Sequence, residues 1–189
     1  MAEREELISA FSAQAQALGA EVYRASSPEE ARALVKRLIE ATGVRRVALA
    51  SSPLLAPLNL ALVIEAAGAE LVKGSLREQA EQAEMGITAF ELAVAETGTL
   101  VQDATELDTR LFSMLPPIHL ALIPVKGLVA NLEEALNYWL AKGEIPGYMA
   151  FISGPSRTAD IERVLTIGVH GPGRLLIVLL GEEEAELND

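Results

Sequence analysis

The chain has 189 residues, half of them hydrophobic and only 4% aromatic, so one domain with an aliphatic core of Leu, Val, Ile and Ala is expected. Its formal charge is −12, and −7 once the five acids of residues 182–189 are set aside, which disfavours attraction to a nucleic-acid backbone. With no cysteine in these residues, a disulfide, a thiol nucleophile and a Cys-ligated iron–sulfur cluster are excluded.

The opening MAEREELISAF is charged and helix-like, unlike a basic region followed by an apolar signal core. Residues 54–64 are too short, and too interrupted by Pro57 and Asn59, to span a bilayer. A soluble cytoplasmic protein is expected. Leu7, Ile8, Phe11, Ala15 and Leu18 fall on one helical face that Gly19 can terminate, giving an arm of residues 1–19 that packs on its own domain or on a partner.

A short strand at 21–24 precedes Ser27-Pro28-Glu29-Glu30, which combines a cap, a proline at the first helical position and a capping-box acid. Ala31, Leu34, Val35, Leu38 and Ile39 then form an apolar helical stripe. Residues 47–50 read as a strand covered on both faces. After it, Ser52 suits a cap and Pro53 the start of a helix toward Ala67; either Ser51 or Ser52 could instead contact a ligand. A strand at 69–72 leads to a polar segment, 74–86, with weak helical signal, read as a mobile insertion. This alternation predicts a mainly parallel sheet with helices on both faces.

Residues 92–95 and 99–102 are extended runs separated only by Glu96, Thr97 and Gly98, too short a connection for a crossover helix, so a hairpin or sharp bend is expected. Gly98 permits a positive φ or close backbone approach to a ligand, beside the hydroxyls of Thr97 and Thr99 and the Glu96 carboxylate; an ordinary glycine turn accounts for it equally well. Residues 105–115 read as irregular or briefly helical. There Arg110 either faces that turn or pairs with Asp108 or Glu106. Pro116 and Pro117 stop any helix, and 118–123 form a buried strand carrying His119, a hydrogen-bonded structural histidine or a ligand contact. Leu128, Leu132, Ala135, Leu136, Trp139 and Leu140 line a helical face ended near Gly143, with Trp139 in the core. A last buried strand at 175–180 precedes the acidic tail, 181–189.

The densest cluster of functional side chains is FISGPSRTADIERVLTIGVHGP, residues 151–172. A strand at 149–152, on a sheet edge, delivers the chain into Ser153, Gly154, Pro155, Ser156, Arg157 and Thr158, with helical periodicity resuming at Ile161, Val164 and Leu165. In one reading Thr158 is an N-cap, Asp160 complements the helix dipole and Arg157 pairs with it. In the other the loop is an anion-binding mouth. Arg157 and Arg110 then supply charge, Gly98 and Gly154 backbone approach, Thr97, Thr99, Ser153 and Ser156 hydroxyls, and His170 an acid or base. His170 is equally well a turn histidine held beside Gly171-Pro172.

His119 and His170 are the only histidines, so no multi-histidine metal set is available and no metal is expected. No GxSxG elbow, Walker loop or GxGxxG turn occurs, and no motif names a cofactor.

SGPSRTADIE followed by GVHGP, with AVAETGTLV at 93–101 and SMLPPIHLALIP at 113–124, resembles the lactate utilization protein C family, the LUD-domain group. The matches run from about residue 93 to residue 180. The resemblance implies a LUD-type three-layer α/β/α domain over 1–189, similar to the NagB/RpiA/CoA transferase-like group that contains 5-formyltetrahydrofolate cyclo-ligase. It also implies a cluster-free component of an L-lactate to pyruvate oxidation system, acting beside iron–sulfur oxidoreductase partners. The site then comprises His170 and Glu96 as candidate catalytic groups. Thr97, Gly98, Thr99, Arg110, His119, Ser153, Gly154, Ser156, Arg157, Thr158 and Asp160 are the candidate ligand contacts. The alternative is a stand-alone enzyme or sensor for a phosphorylated, CoA-linked or carboxylate metabolite.

Overall fold

Two sheets organise the computed structural model, which describes residues 2–143, 145–158 and 166–181. In chain order the first half comprises α1 (Ala2–Ala17), β1 (Glu21–Ala25), α2 (Pro28–Thr42), β2 (Arg46–Leu49), α3 (Leu60–Ala66), β3 (Glu70–Leu71), α4 (Leu76–Gln82) and β4 (Met85–Ala89). There follow β5 (Leu92–Val94), β6 (Thr99–Asp103), α5 (Leu107–Met114), β7 (Ile118–Pro124), β8 (Leu128–Val129) and α6 (Leu132–Lys142). The last strands are β9 (Met149–Ile152), β10 (Arg157–Thr158), β11 (Thr166–Ile167) and β12 (Arg174–Leu180).

The main sheet has the order β1-β12-β7-β4-β2-β3, and every neighbouring pair in it is parallel. Its central strands are apolar on both faces because both are covered. Leu120 and Leu122 of β7 and Leu176 and Val178 of β12 join the core with α2 and α3. The alternate residues, Ala121 and Ile123, and Leu175, Ile177 and Leu179, pack against α1 and a second sheet. The architecture is three-layer α/β/α. On the second face a four-stranded sheet, β8-β5-β6-β9, sits beside the helices, with α6 covering it through Ala135 and Trp139.

Several local signals act as the sequence predicts. Ser27 caps α2 by accepting from the Glu30 N–H; Gly43, which the sequence reading did not single out, closes the helix at φ 70°. The Glu30 carboxylate reaches back one residue beyond the cap, to the N–H and hydroxyl of Ser26, so the expected capping box with Ser27 is not closed. The Glu96-Thr97-Gly98 connection makes a hairpin, with β5 and β6 antiparallel and Val94 opposite Thr99. The N-terminal arm packs on its own domain through Ile8, Phe11 and Ala15.

Other expectations are corrected. Residues 74–86 are not a loose insertion. Ser75 and Glu78 form a full capping box on α4, and the chain then enters β4 in the middle of the parallel sheet. Gly86 belongs there because a Cβ at that position would lie 1.9 Å from the Phe112 carbonyl oxygen of α5. Pro53 does not open a helix; a turn, a 3-10 segment at Ala56–Leu58 and a left-handed Asn59 (φ 46°) intervene before α3. Strand β9 forms where expected, but on the edge of the smaller sheet, antiparallel to β6, so the loop after it does not leave a parallel-sheet carboxyl end. Half of the predicted α6 stripe faces outward, since Leu132, Leu136 and Leu140 are 44%, 44% and 60% exposed.

Candidate functional site

The crevice of a parallel sheet opens where neighbouring strands send their connections in opposite directions. Here that place lies between β2 and β4. The chain leaving β2 returns in β3, outward in the sheet, whereas the chain leaving β4 returns to the main sheet in β7, inward. A cleft of about 560 Å³ occupies this carboxyl end. Residues 51–54 after β2 and 89–92 after β4 form two of its walls, and Pro124, Lys126 and Gly127 after β7 a third. Gln102 and Asp103 of β6, Glu106 at the start of α5 and Thr109 within it, and Tyr138 and Lys142 of α6 complete it.

The cleft is built by specific contacts. The Ser51 N–H donates to Asp108 Oδ2 at 2.8 Å, and Ser52 Oγ accepts from the Leu54 N–H at 3.2 Å, fixing the turn after β2. Lys142 Nζ lies 2.9 Å from Glu91 Oε2 and 4.7 Å from the centroids of both the Tyr138 and Trp139 rings. A hydrogen bond with Tyr138, and then the one with Glu91, raises the lysine pKa above its usual value. Gln102 is 2% exposed, and its Nε2 donates to the Ala89 carbonyl at 2.8 Å. Its Oε1 is buried with no partner. The lining holds three carboxylates, Glu91, Asp103 and Glu106, and two lysines, Lys126 and Lys142, so the cleft carries no excess of positive charge.

A second hollow, about 290 Å³, lies at the opposite, amino end of β7 and β12, and it gathers His119, Ser153, Gly154, Ser156 and His170. Its loops are stitched together. The Ser156 N–H donates to the Pro172 carbonyl and the Gly168 N–H to the Ser156 carbonyl, each at 2.9 Å. His119 is 1% exposed, with Nε2 2.9 Å from Thr88 Oγ1 and its ring against Phe90. Burial pushes its pKa from 6.5 down to about 3, so the imidazole is neutral.

The two distant segments singled out in the sequence do meet, since Thr99 Oγ1 and Ser153 Oγ are 2.8 Å apart. What fills the space beside them is the end of α1. A Cβ on Gly98 (φ 63°) would lie 2.4 Å from the Ala15 nitrogen, and one on Gly154 (φ 82°) 2.6 Å from the Leu18 carbonyl oxygen. Arg157 donates to that same Leu18 carbonyl. Arg110 lies over the Tyr148 ring at 4.3 Å, and its Nε is buried without a partner. Both arginines are thus engaged elsewhere, and the glycine bends admit a helix backbone where a ligand was expected.

Glu96 and Thr97 are exposed in the hairpin turn and line neither hollow. Thr158 pairs with Thr166 in the β10–β11 ribbon. Asp160 and the helical periodicity at 161–165 lie outside the described residues. Of the residues the sequence analysis offers as ligand contacts, only Ser51 and Ser52 line the larger cleft. Gln102 was the missed signal: a buried amide following Leu100 and Val101 in β6. Among the described residues no group of three or more His, Asp or Glu could hold a metal, and no helix is long and apolar enough to cross a membrane.

Fold and cleft together define a parallel-sheet α/β/α protein with a small-molecule-sized crevice at the strand carboxyl ends. Residues 8–180 match the LUD domain family, and the chain belongs to it. It is similar to a lactate utilization protein C of Geobacillus thermodenitrificans, 30% identical over 191 residues that cover 94% of this chain and 79% of that protein. The protein of the same name from Shouchella clausii is 38% identical over 109 residues, or 56% of this chain and 48% of the relative. The Halalkalibacterium halodurans protein is 41% identical over 109 residues, 56% of this chain and 47% of the relative. In those two matches the chain spans about half of the relative's length. A crystal structure of a DUF162 family protein from Deinococcus radiodurans shares the fold, with a TM-score of 0.63 at 22% identity over 94% of this chain and 98% of that one.

Proposed function

We propose that the chain is a cluster-free component of an L-lactate to pyruvate oxidation system, acting with iron–sulfur oxidoreductase partners and holding a small molecule in the cleft at the carboxyl ends of β2, β4 and β7. The observation that carries this reading is the similarity to a lactate utilization protein C along 94% of the chain. The composition agrees with it. A chain without cysteine supplies no thiolate for a cluster, so cluster-borne electrons belong to the partners.

The test is complementation. Expressed in a Bacillus subtilis strain deleted for its own lactate utilization protein C, this chain restores growth on L-lactate. Anaerobic affinity isolation from that strain recovers an iron-bearing partner. Absence of both results overturns the role.

A second reading is a stand-alone enzyme or sensor for a carboxylate, phosphorylated or CoA-linked metabolite, with its site at the opposite hollow. The gathering of Ser153, Ser156 and His170 around a space suited to a lactate-sized acid favours it. In that case L-lactate or pyruvate raises the melting temperature of the wild type and not of His170→Ala.

A further inference from the structure

We infer that the cleft at the carboxyl ends of β2, β4 and β7 selects a ligand larger than lactate, uncharged or weakly charged, with an apolar body and an N–H or O–H that donates to Gln102 Oε1. The inference rests on the cleft being the ligand site of the proposed function, and it names the chemistry of what that site accepts.

Three observations carry it. First, Gln102 is among the residues lining the cleft, and its carbonyl oxygen has no hydrogen-bond partner in the fold. One N–H of its amide donates to the Ala89 carbonyl, which fixes the orientation of the group, and Oε1 is buried with no partner in a residue that is 2% exposed. Buried acceptors in native proteins are nearly always satisfied, by protein or by what binds beside them. A carboxylate, phosphate or bare carbonyl turned toward Oε1 would set lone pair against lone pair, whereas a donor completes the pair.

Second, charge argues against a polyanion. Glu91, Asp103 and Glu106 stand against Lys126 and Lys142, and the Lys142 ammonium is already held by Glu91 and the faces of Tyr138 and Trp139. Third, size and lining argue against a hydroxy acid as the whole ligand. A molecule the size of lactate fills a small part of about 560 Å³, and Leu54, Pro124, Val129 and the Tyr138 ring offer aliphatic and aromatic surface that such an acid cannot cover.

The experiment uses a matched pair of probes that differ only in the donor: indole, which carries a ring N–H, and benzofuran, which has an oxygen in its place. Each is titrated into the full chain with detection by protein NMR, reading the Gln102 side-chain amide and the backbone amides of Phe90 and Glu91. Indole is expected to bind at the cleft about tenfold more tightly than benzofuran, and Gln102→Met to remove the difference. Equal affinities mean that water serves Oε1 and overturn the donor assignment, as does failure of both probes to perturb these residues. The wild-type pair decides the question even if Gln102→Met does not fold. Lost complementation on L-lactate with the indole preference intact would instead fault the assigned role and leave the cleft chemistry standing.

Discussion

The two ends of the parallel sheet differ in the way that matters for function. At the amino end, polar loops rich in Gly, Ser, His and Arg are bonded to one another and to the terminus of α1. At the carboxyl end, residues of no conspicuous motif surround an open cleft. Glycines and arginines of the kind that contact ligands thus also serve to close a fold. Arg157, Gly98, Gly154 and the Ser156 backbone spend hydrogen bonds or backbone freedom on closing the fold, whereas Gln102 keeps an acceptor unspent.

The largest expected effect that would break this contrast is at Gly98. A methyl group there adds left-handed strain and pushes into the Ala15 backbone, so Gly98→Ala is expected to destabilise by about 3 kcal/mol in urea unfolding. A neutral result would mean that the bend is open to a ligand after all. Next is the pH dependence set by His119. The unfolded imidazole takes up a proton below about pH 6.5 while the buried one stays neutral down to about 3. The stabilisation is therefore complete above pH 6.5 and is lost as pH falls toward 3. The slope approaches ~1.4 kcal/mol per pH unit, and His119→Gln flattens it. If the slope is unchanged in the variant, His119 is not the group responsible.

Smaller still is the clasp itself. Arg157→Ala is expected to cost about 1 kcal/mol of stability, since one solvent-facing hydrogen bond to Leu18 is lost, and to leave indole binding at the cleft unaltered. Weaker indole binding in this variant would join the two ends energetically and dissolve the distinction between them. The smallest effect is on the outward α6 face, where Leu136→Ser should shift stability by no more than about 0.5 kcal/mol, measured by thermal denaturation.

The candidate site was less legible than the fold. Ser51 and Ser52 could be noted after β2, but nothing nearby in sequence brings them to Gln102, Lys126 or Lys142. That cleft exists only because the β5–β6 hairpin and α6 fold back over the crossover point of the sheet. Strand β4 was also obscured. Met85-Gly86-Ile87-Thr88-Ala89 follows an acidic, polar helix, and its glycine reads as a breaker until α5 is seen pressing its backbone against that position.

The sequence by itself determined the alternation of strands and helices, the cap at Ser27, the hairpin at Gly98 and the aliphatic character of the sheet. These depend on periodicity and on residues within one turn of each other, which local chemistry dictates. Only the tertiary structure decided what the glycines approach, which arginine has work to do and where an acceptor is left without a donor. The physical reason is that a missing Cβ, a guanidinium or a buried amide specifies a vacancy or a bond but not the partner that fills it, and here the partners come from segments as far apart in the chain as Leu18 and Arg157.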